Sequence, residues 1–489
     1  MDNTLAKPGD DIKRASFFER HTKIVCTIGP ASGSAAVIEQ LIKAGMNVAR
    51  FNLSHGTYRE HTRHIQTVRK LSHRLASPVA TIIDLPGPKY RTGRLKGGQV
   101  RLRKGAQVIL TTRQIKGDGE VVPISLSTLP QDVKVGDTML LDDGAMELKV
   151  LERHGTEVRC SIIVGGILAE GRGLVVPGRR ISTSFITDTL RQHILFAVRQ
   201  QPDYLALSFV DNAKDITSVR AILCENDADI PIIAKIEKGA AVDEFDSILT
   251  ASEGIMVARG DLGVNIALEK VPLVQKEIIK KCNQAGKPVI TATQMLESMV
   301  KAPRPTRAEV TDVANAVFDG TDAVMLSEET STGKYPVQAV EMMGKIAREV
   351  EGKLPYEQML GEHGRWLEQK TDELISYSAC HTAQSLEAAA LIAFTQSGST
   401  AGRVSKYRPR MPILAITTNA VVVGRLMLRW GVYPFQIAGP SSVEGLFAAG
   451  AKLSKELGLA KMGDLIVIAG GIPLGVAGST NLLKVEKIQ

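Results

Sequence analysis

Aromatic residues make up only 4% of this 489-residue chain, and they do not interleave with basic clusters. That argues against a base-stacking surface for nucleic acid. The net charge of +8, spread along the chain, then fits small anionic substrates. The five cysteines (Cys26, Cys160, Cys224, Cys282 and Cys380) lack CxxC spacing, which argues against a zinc site and suits a reduced compartment. The N-terminal segment is charged and has no apolar core, so no secretory signal is expected. No apolar run reaches the ~20 residues a spanning helix needs. Neither a GxSxG elbow nor a Walker A loop occurs. The expected setting is cytoplasmic, with no nucleic-acid or membrane partner.

What is present is alternation. The length and the 44% hydrophobic content fit about three domains with a large core. Apolar runs of strand length cover 23–28, 47–52 and 79–84, with helical periodicity over 35–44 and 60–75. From about residue 91 to 179 the pattern changes. Short alternating runs such as VRLRKG, VILTT and EVRCSIIVGG are separated by glycine turns without a helical period, as in an inserted all-β domain. Alternation then resumes, with strands expected over 204–209, 232–236, 254–258, 288–292 and 323–326. Helices are expected over 188–200, 240–250, 271–285, 307–318 and 336–350. Eight β/α units imply an α/β fold built on a closed (β/α)8 TIM barrel, with a doubly wound open sheet as the alternative. A charged stretch over 348–373 reads as a linker to a C-terminal α/β domain. Its strands are expected over 391–394, 413–417 and 465–469, and its helices over 374–386 and 443–457. The expected division is a tail over 1–21, a barrel over 22–90 and 180–354, an inserted β-domain over 91–179, and a C-terminal domain over 355–489.

The barrel is organised around residues 232–263, IIAKIEKGAAVDEFDSILTASEGIMVARGDLG. The first apolar run ends in Lys235 and Glu237, the second in Arg259 and Asp261. Parallel neighbours put both ends on one rim. Two hard carboxylates suit Mg2+ or Mn2+, which keeps waters and takes other ligands from substrate phosphate. Lys235 is placed to neutralise charge on a transferring phosphoryl group. A plain rim salt bridge is the competing reading. Active sites of such barrels lie at the C-terminal strand ends. Those ends add Arg50, Asn52, Ser54, Asp84, Thr291, Thr293, Ser327 and Glu328, with His55 as the rim histidine. A ring of cations and oxygens without a Cys–His cluster suits phosphoryl transfer by positioning and charge.

Seven motifs occur in order: RFNLSH, GPxxRTG, AKIE, ARGDLG, TATQMLESM, RPTRAEVTDVANAV and DGTDAVMLSEETSTGKYP. Together they resemble the pyruvate kinase family over essentially the whole chain. The resemblance implies a phosphotransferase of glycolysis that converts phosphoenolpyruvate and ADP to pyruvate and ATP. It implies that Glu237 and Asp261 hold Mg2+ or Mn2+, and that Lys235 stabilises the phosphoryl group in flight. Arg50 and Arg91 would contact substrate. The amides of Gly260 and Asp261, with the Thr293 hydroxyl, would hold its carboxylate. Thr293 and Ser327 would stand near a water relay to the enolate carbon. Asn52, Ser54 and Asp84 match monovalent-cation ligands. Pro30, Asn52, His55 and Arg91, with Asp143 and Arg172 of the inserted domain, match the nucleotide site, over which that domain would close as a lid. Thr395, Gln396, Ser397, Gly398, Ser399 and Thr400 would cradle the phosphate of an allosteric effector. A plain serine–glycine helix cap is the alternative there. A homotetramer is likewise implied.

The chain departs from the family's commoner pattern in three places. DTKGPEIRT is DLPGPKYRT here, so Leu85, Pro86 and Lys89 replace Thr, Lys and Glu. Exchanging a carboxylate for an ammonium predicts that K+ is not required. Lys89 would supply the cation's charge, held by Asn52 and Ser54 with Asp84 as counter-ion. Glu328 stands where the family has Gly. In RGLVVPG, Arg172 keeps a charge while Val175 replaces Asn. A metal-dependent aldolase or lyase on a related barrel is a second reading, and a non-catalytic regulatory scaffold a third. The intact Lys235, Glu237, Asp261 and Thr293 argue against the scaffold.

Overall fold

Side chains alternate across a strand, so in a closed barrel every second residue points inward. The computed structural model describes residues 18, 20–439, 442–473 and 478–489. Eight parallel strands close into a barrel: β1 (Lys23–Thr27), β2 (Val48–Asn52), β3 (Ala80–Leu85), β4 (Tyr204–Leu207), β5 (Ile232–Ile236), β6 (Gly254–Ala258), β7 (Val289–Ala292) and β8 (Ala323–Leu326). Closure is made by β8 against β1, with Lys23 opposite Ala323 and Cys26 opposite Leu326. That decides against an open sheet. Of the expected tail over 1–21, residues 1–17 and 19 lie outside the described residues.

Parity sorts the core into two layers. Val25, Val48, Ile82, Ile233, Met256 and Ile290 fill the barrel interior. Their neighbours Ile24, Ala49, Ile83, Ala234, Ile255 and Val289 pack outward against the helices. The helices begin where the sequence offers side-chain acceptors for free amides. Thr57 and Glu60 form a capping box for Tyr58–Arg74, and Thr306 and Glu309 one for Arg307–Phe318. A third box, Asn212 with Asp215, starts Ala213–Glu225, a helix not anticipated above. The helix expected over 240–250 is two short ones, Gly239–Asp243 and Phe245–Ala251, separated at Glu244.

Between β3 and β4 the chain leaves the barrel for a β-domain with its own core of Leu110, Leu141, Leu148, Val158 and Leu174. Its outgoing and returning segments pair antiparallel, Tyr90 with Leu174 and Arg91 with Gly173. It holds one α-helical turn, Leu129–Asp132, where none was expected.

The C-terminal domain is a five-stranded sheet of β9 (Ala390–Phe394), β10 (Ile413–Thr417), β11 (Val432–Gln436), β12 (Leu465–Gly471) and β13 (Thr480–Lys487). The order is β11-β10-β9-β12-β13, with β13 antiparallel at the edge. The stretch expected as a linker contains the helix Tyr356–Gly364. This domain seals the barrel floor: Met427 and Leu428 join the interior core beneath Tyr204. Arg408 reaches Asp322 at 3.1 Å and Asn283 at 2.7 Å. The Trp430 amide also donates to Asp322, and Lys23 Nζ donates to the Val432 carbonyl at 2.6 Å.

Candidate active site

Parity also builds the site. On β5, inward Ile233 sets Lys235 and then Glu237 facing the interior at the open end. On β2 and β3, inward Val48 and Ile82 do the same for Arg50 and Asp84. The register sets Asn52 beside Asp84, and Lys235 beside Met256. These side chains form one buried chain of charge. Arg50 Nε lies 2.7 Å from Asp84, Lys235 Nζ 3.3 Å from Asp84, and Lys235 Nζ 2.9 Å from Glu237. Burial pushes the Asp84 carboxyl up, but Lys235 and Arg50 outweigh it and hold it below the ordinary range. Burial pulls Lys235 down, yet Asp84 and Glu237 prevail and raise it, so the ammonium is secure. For Glu237 burial prevails over Lys235, with the Asp261 and Asp84 charges pushing the same way, and its carboxyl is raised.

Two residues of this network were not singled out from sequence. Ser208 receives a hydrogen bond from Lys235 at 2.8 Å and donates one to Asp84 at 3.2 Å. Phe209, at φ 59°, turns its amide onto Glu237 at 2.6 Å. The signal for Ser208 was there: it continues the inward parity of Tyr204 and Ala206. Nothing in the sequence marks the left-handed backbone at Phe209.

Asp261 lies on the helix Arg259–Asn265, directly after β6. Its carboxylate is paired with Lys89, Nζ to Oδ1 at 2.5 Å. The expected placing of Lys89 against Asp84 is therefore corrected. Asp84 already has Arg50 and Lys235 as partners, and the stem of Lys89 leads across the rim to β6. Asn52 instead accepts the Ser54 amide at 3.1 Å. The Gly260 amide is bonded to the Thr293 hydroxyl at 2.7 Å, and that hydroxyl donates to the Ala292 carbonyl. Thr293 and Gln294 both have left-handed backbone, at φ 65° and 55°. Arg259 fixes this turn by donating to the Thr293 carbonyl and pairing with Asp312 at 2.6 Å.

Ser327 lies at the end of β8 with a buried hydroxyl oxygen that has no hydrogen-bond partner. Its amide donates to Glu329, a buried carboxylate not picked out from sequence, while Glu328 is exposed. Thr291 has outward parity and bonds Thr321 between β7 and β8, so it leaves the rim set. Arg91 donates to the Gly171 carbonyl, and Arg172 pairs with Asp142 at 3.3 Å. Asp143, also in the inserted domain, approaches Lys89 to 3.9 Å. Pro30 and His55 lie at the surface of the rim. Partial burial, then the Arg91 and Arg50 charges, pull His55 below its ordinary value.

No cluster of three or more His, Cys, Asp or Glu suited to a metal exists among the described residues. The donor set at Glu237 and Asp261 fits a hard divalent ion in another way. It offers two hard carboxylates, the donor type of a divalent ion that takes its other ligands from waters and substrate oxygens. The raised Glu237 carboxyl marks a place where more positive charge would be favourable.

In the C-terminal domain, residues 395–400 join β9 to the helix Ser399–Lys406. Gly398, at φ 90°, caps that helix, and its amide donates to the Thr395 hydroxyl at 2.9 Å. The Thr400 hydroxyl is paired with Thr480, Ser397 with Ser399, and Gln396 with Thr418. Thr395, Gln396, Ser399 and Thr400 line a pocket together with Thr417, Thr418 and Leu446, while Ser397 and Gly398 do not line it. No helix among the described residues is long and apolar enough to cross a membrane.

A family model described as "Pyruvate kinase, barrel domain" matches residues 19–340, and one described as "Pyruvate kinase, alpha/beta domain" matches residues 373–486. The chain is 46% identical over 473 residues to a pyruvate kinase of Geobacillus stearothermophilus, covering 96% of this chain and 81% of the relative. It is 44% identical over 471 residues to that of Staphylococcus aureus strain MRSA252, covering 96% and 80%. The crystal structure of a pyruvate kinase from Cryptosporidium parvum superposes with a TM-score of 0.91 at 37% identity, covering 97% of both chains.

Proposed function

Since this chain belongs to the pyruvate kinase family, and so transfers a phosphoryl group from phosphoenolpyruvate to ADP, we propose that Lys235, Arg50, Glu237 and Asp261 carry that transfer. The observation that supports this most is the buried chain of charge at the barrel mouth, Arg50–Asp84–Lys235–Glu237. Burying four ionised groups costs several kcal/mol per ion before pairing offsets it. The four charges sum to zero, so a divalent ion at Glu237 would leave the group net positive towards an anionic substrate.

In this reading Glu237 and Asp261 hold Mg2+ or Mn2+. The ion supplies charge stabilisation for phosphate and carboxylate oxygens. Lys235 meets the phosphoryl group in flight, and Asp84 keeps its ammonium protonated and aimed. Arg50, braced by Asp84 and Thr27, clamps the phosphate, and Arg91 approaches from the base of the lid. The substrate carboxylate takes the Gly260 and Asp261 amides, displacing the Thr293 hydroxyl from Gly260. The free hydroxyl of Ser327, with Thr293, orders the water that delivers a proton to the enolate carbon. Pro30, Asn52 and His55 line the nucleotide side, and Asp143 and Arg172 complete it when the β-domain closes.

Lys89, from its place against Asp261, supplies the charge for which other enzymes of the family recruit K+, while Asn52, Ser54 and Asp84 stand apart from it as the positions of that cation's ligands. Its ammonium, already inside the rim, supports a K+-independent reaction. The pocket beside residues 395–400 binds a phosphorylated effector. Exposed Leu268, in the turn Leu268–Lys270, and Leu273, in the first turn of the helix Val271–Ala285, support subunit contact in a homotetramer. The domain division expected from sequence is retained, with the lid over 91–179 and a cytoplasmic setting.

The test is pyruvate formation from phosphoenolpyruvate, with and without ADP and Mg2+, in wild type and Asp261→Asn. The variant keeps shape and removes one charge. A folded Asp261→Asn protein should lose several decades of rate, on the order of 4 kcal/mol or more in the barrier. Wild-type turnover in that variant would end the metal assignment.

A further inference from the structure

Lys89 follows β3 at the entrance to the lid, so its side chain meets both bodies. Its ammonium lies 2.5 Å from Asp261 of the barrel and 3.9 Å from Asp143 of the lid. The seat is a built one. The side chain is only 11% exposed, where a lysine is ordinarily solvated. Its stem runs against Gly173 on the lid's return strand, where an added Cβ would come within 2.6 Å of Lys89 Cε. The ammonium also stands 5.1 Å from the centre of the Phe209 ring, the residue whose amide holds Glu237.

Asp261 is one of the two carboxylates assigned above to the divalent ion. An oxygen that accepts an ammonium at 2.5 Å is poorly placed to ligate a dication as well, because the two cations repel at that separation. We infer that Lys89 is an internal cation that competes with the divalent metal for Asp261. The inference rests on the metal assignment of the preceding section. In the metal-free enzyme Lys89 neutralises Asp261, and it must leave that oxygen when the metal binds. A displaced ammonium has Asp143 as its nearest other carboxylate, and the open rim, where the substrate phosphate arrives, in front of it. Metal binding and substrate binding are thereby linked through one side chain. An anion that draws Lys89 off Asp261 strengthens metal binding, and the metal reciprocates for the anion.

The experiment is Mn2+ binding to the full-length protein without substrate or nucleotide, followed by the electron spin resonance of free Mn2+. Lys89→Met should bind Mn2+ about tenfold more tightly than wild type. Lys89→Gln is the second variant should the first fail to fold. Gly173→Ala should shift affinity in the same direction, by pushing the lysine stem off its seat. Asp261→Asn should lose the site. If Asp261→Asn binds Mn2+ like wild type, the metal assignment fails and the inference falls with it. If Asp261→Asn loses Mn2+ while the Lys89 variants bind it equally or more weakly, the assignment stands and the competition is refuted.

Discussion

Replacing Lys235 with Met removes the central link of the buried charge chain. Its side chain is 9% exposed, and it neutralises Asp84 and Glu237, which are 2% and 1% exposed. The two carboxylates are not left alike. Asp84 keeps Arg50 at 2.7 Å, whereas among the described residues Glu237 keeps only the Phe209 amide. Stranding one buried carboxylate costs about 3–5 kcal/mol. Much of that disappears if Glu237 takes up a proton, for which burial already raises it. Three results follow. Lys235→Met should lower the urea midpoint, and increasingly so as pH rises above the ordinary carboxylate range, because only the ionised Glu237 is stranded. Adding Glu237→Gln to it should recover much of the lost stability. Neither variant should turn over, with the barrier higher by about 4 kcal/mol or more, since the phosphoryl charge has lost its cation. Urea unfolding gives the stabilities, and pyruvate release from phosphoenolpyruvate and ADP gives the rates. Additive destabilisation in the double variant would refute the charge-chain account. A folded Lys235→Met enzyme with the wild-type rate would refute the role in transfer.

Other consequences can be measured separately. With Mg2+ and tetramethylammonium as the only monovalent cation, adding K+ should leave the wild-type rate nearly unchanged; a rate that collapses without K+ removes Lys89 from that role. Lys89→Glu should be nearly inactive without K+ and at least partly rescued by it. Ser397→Glu should abolish any shift of the substrate midpoint caused by sugar phosphates or AMP, and a shift that survives would move the effector site elsewhere. Burial, then the Arg20 charge, pull Lys23 down to about 7. The unfolded chain therefore holds the extra proton between that value and the ordinary 10.5, and stability from this group rises with pH across that window, by up to about 5 kcal/mol. Lys23→Met should flatten that rise in thermal melts between pH 6 and 10; parallel curves would show that Lys23 does not titrate there.

The barrel was legible because its strands are buried on both faces and therefore read as continuous apolar runs. Arg50, Asp84, Lys235 and Glu237 were legible because each ends such a run. Edge strand β13 was not: TNLLKVEK mixes exposed and half-buried residues at the sheet margin. Nor was the helix Tyr356–Gly364, whose charged residues hid the buried Leu360 and His363. The partner of Lys89 was misread for a geometric reason. Sequence puts Lys89 five residues after Asp84, but the chain turns into the inserted β-domain there, and the ammonium reaches Asp261 on the helix after β6. The bond between Thr293 and the Gly260 amide was also out of reach, because it depends on left-handed backbone at a non-glycine residue.

The sealed barrel floor has an implication for how the chain can be divided. Cutting after residue 354 would remove Met427 and Leu428 from the interior and open its apolar base to water. The same cut would strip Asp322 of Arg408 and of the Trp430 amide, and Lys23 of the Val432 carbonyl. The catalytic half is thus a vessel whose bottom is supplied by the half that follows it in the chain. Recombination between relatives should tolerate exchange of the inserted β-domain, which has a core of its own. It should not tolerate exchange of the C-terminal domain unless Asp322, Asn283 and Lys23 travel with it.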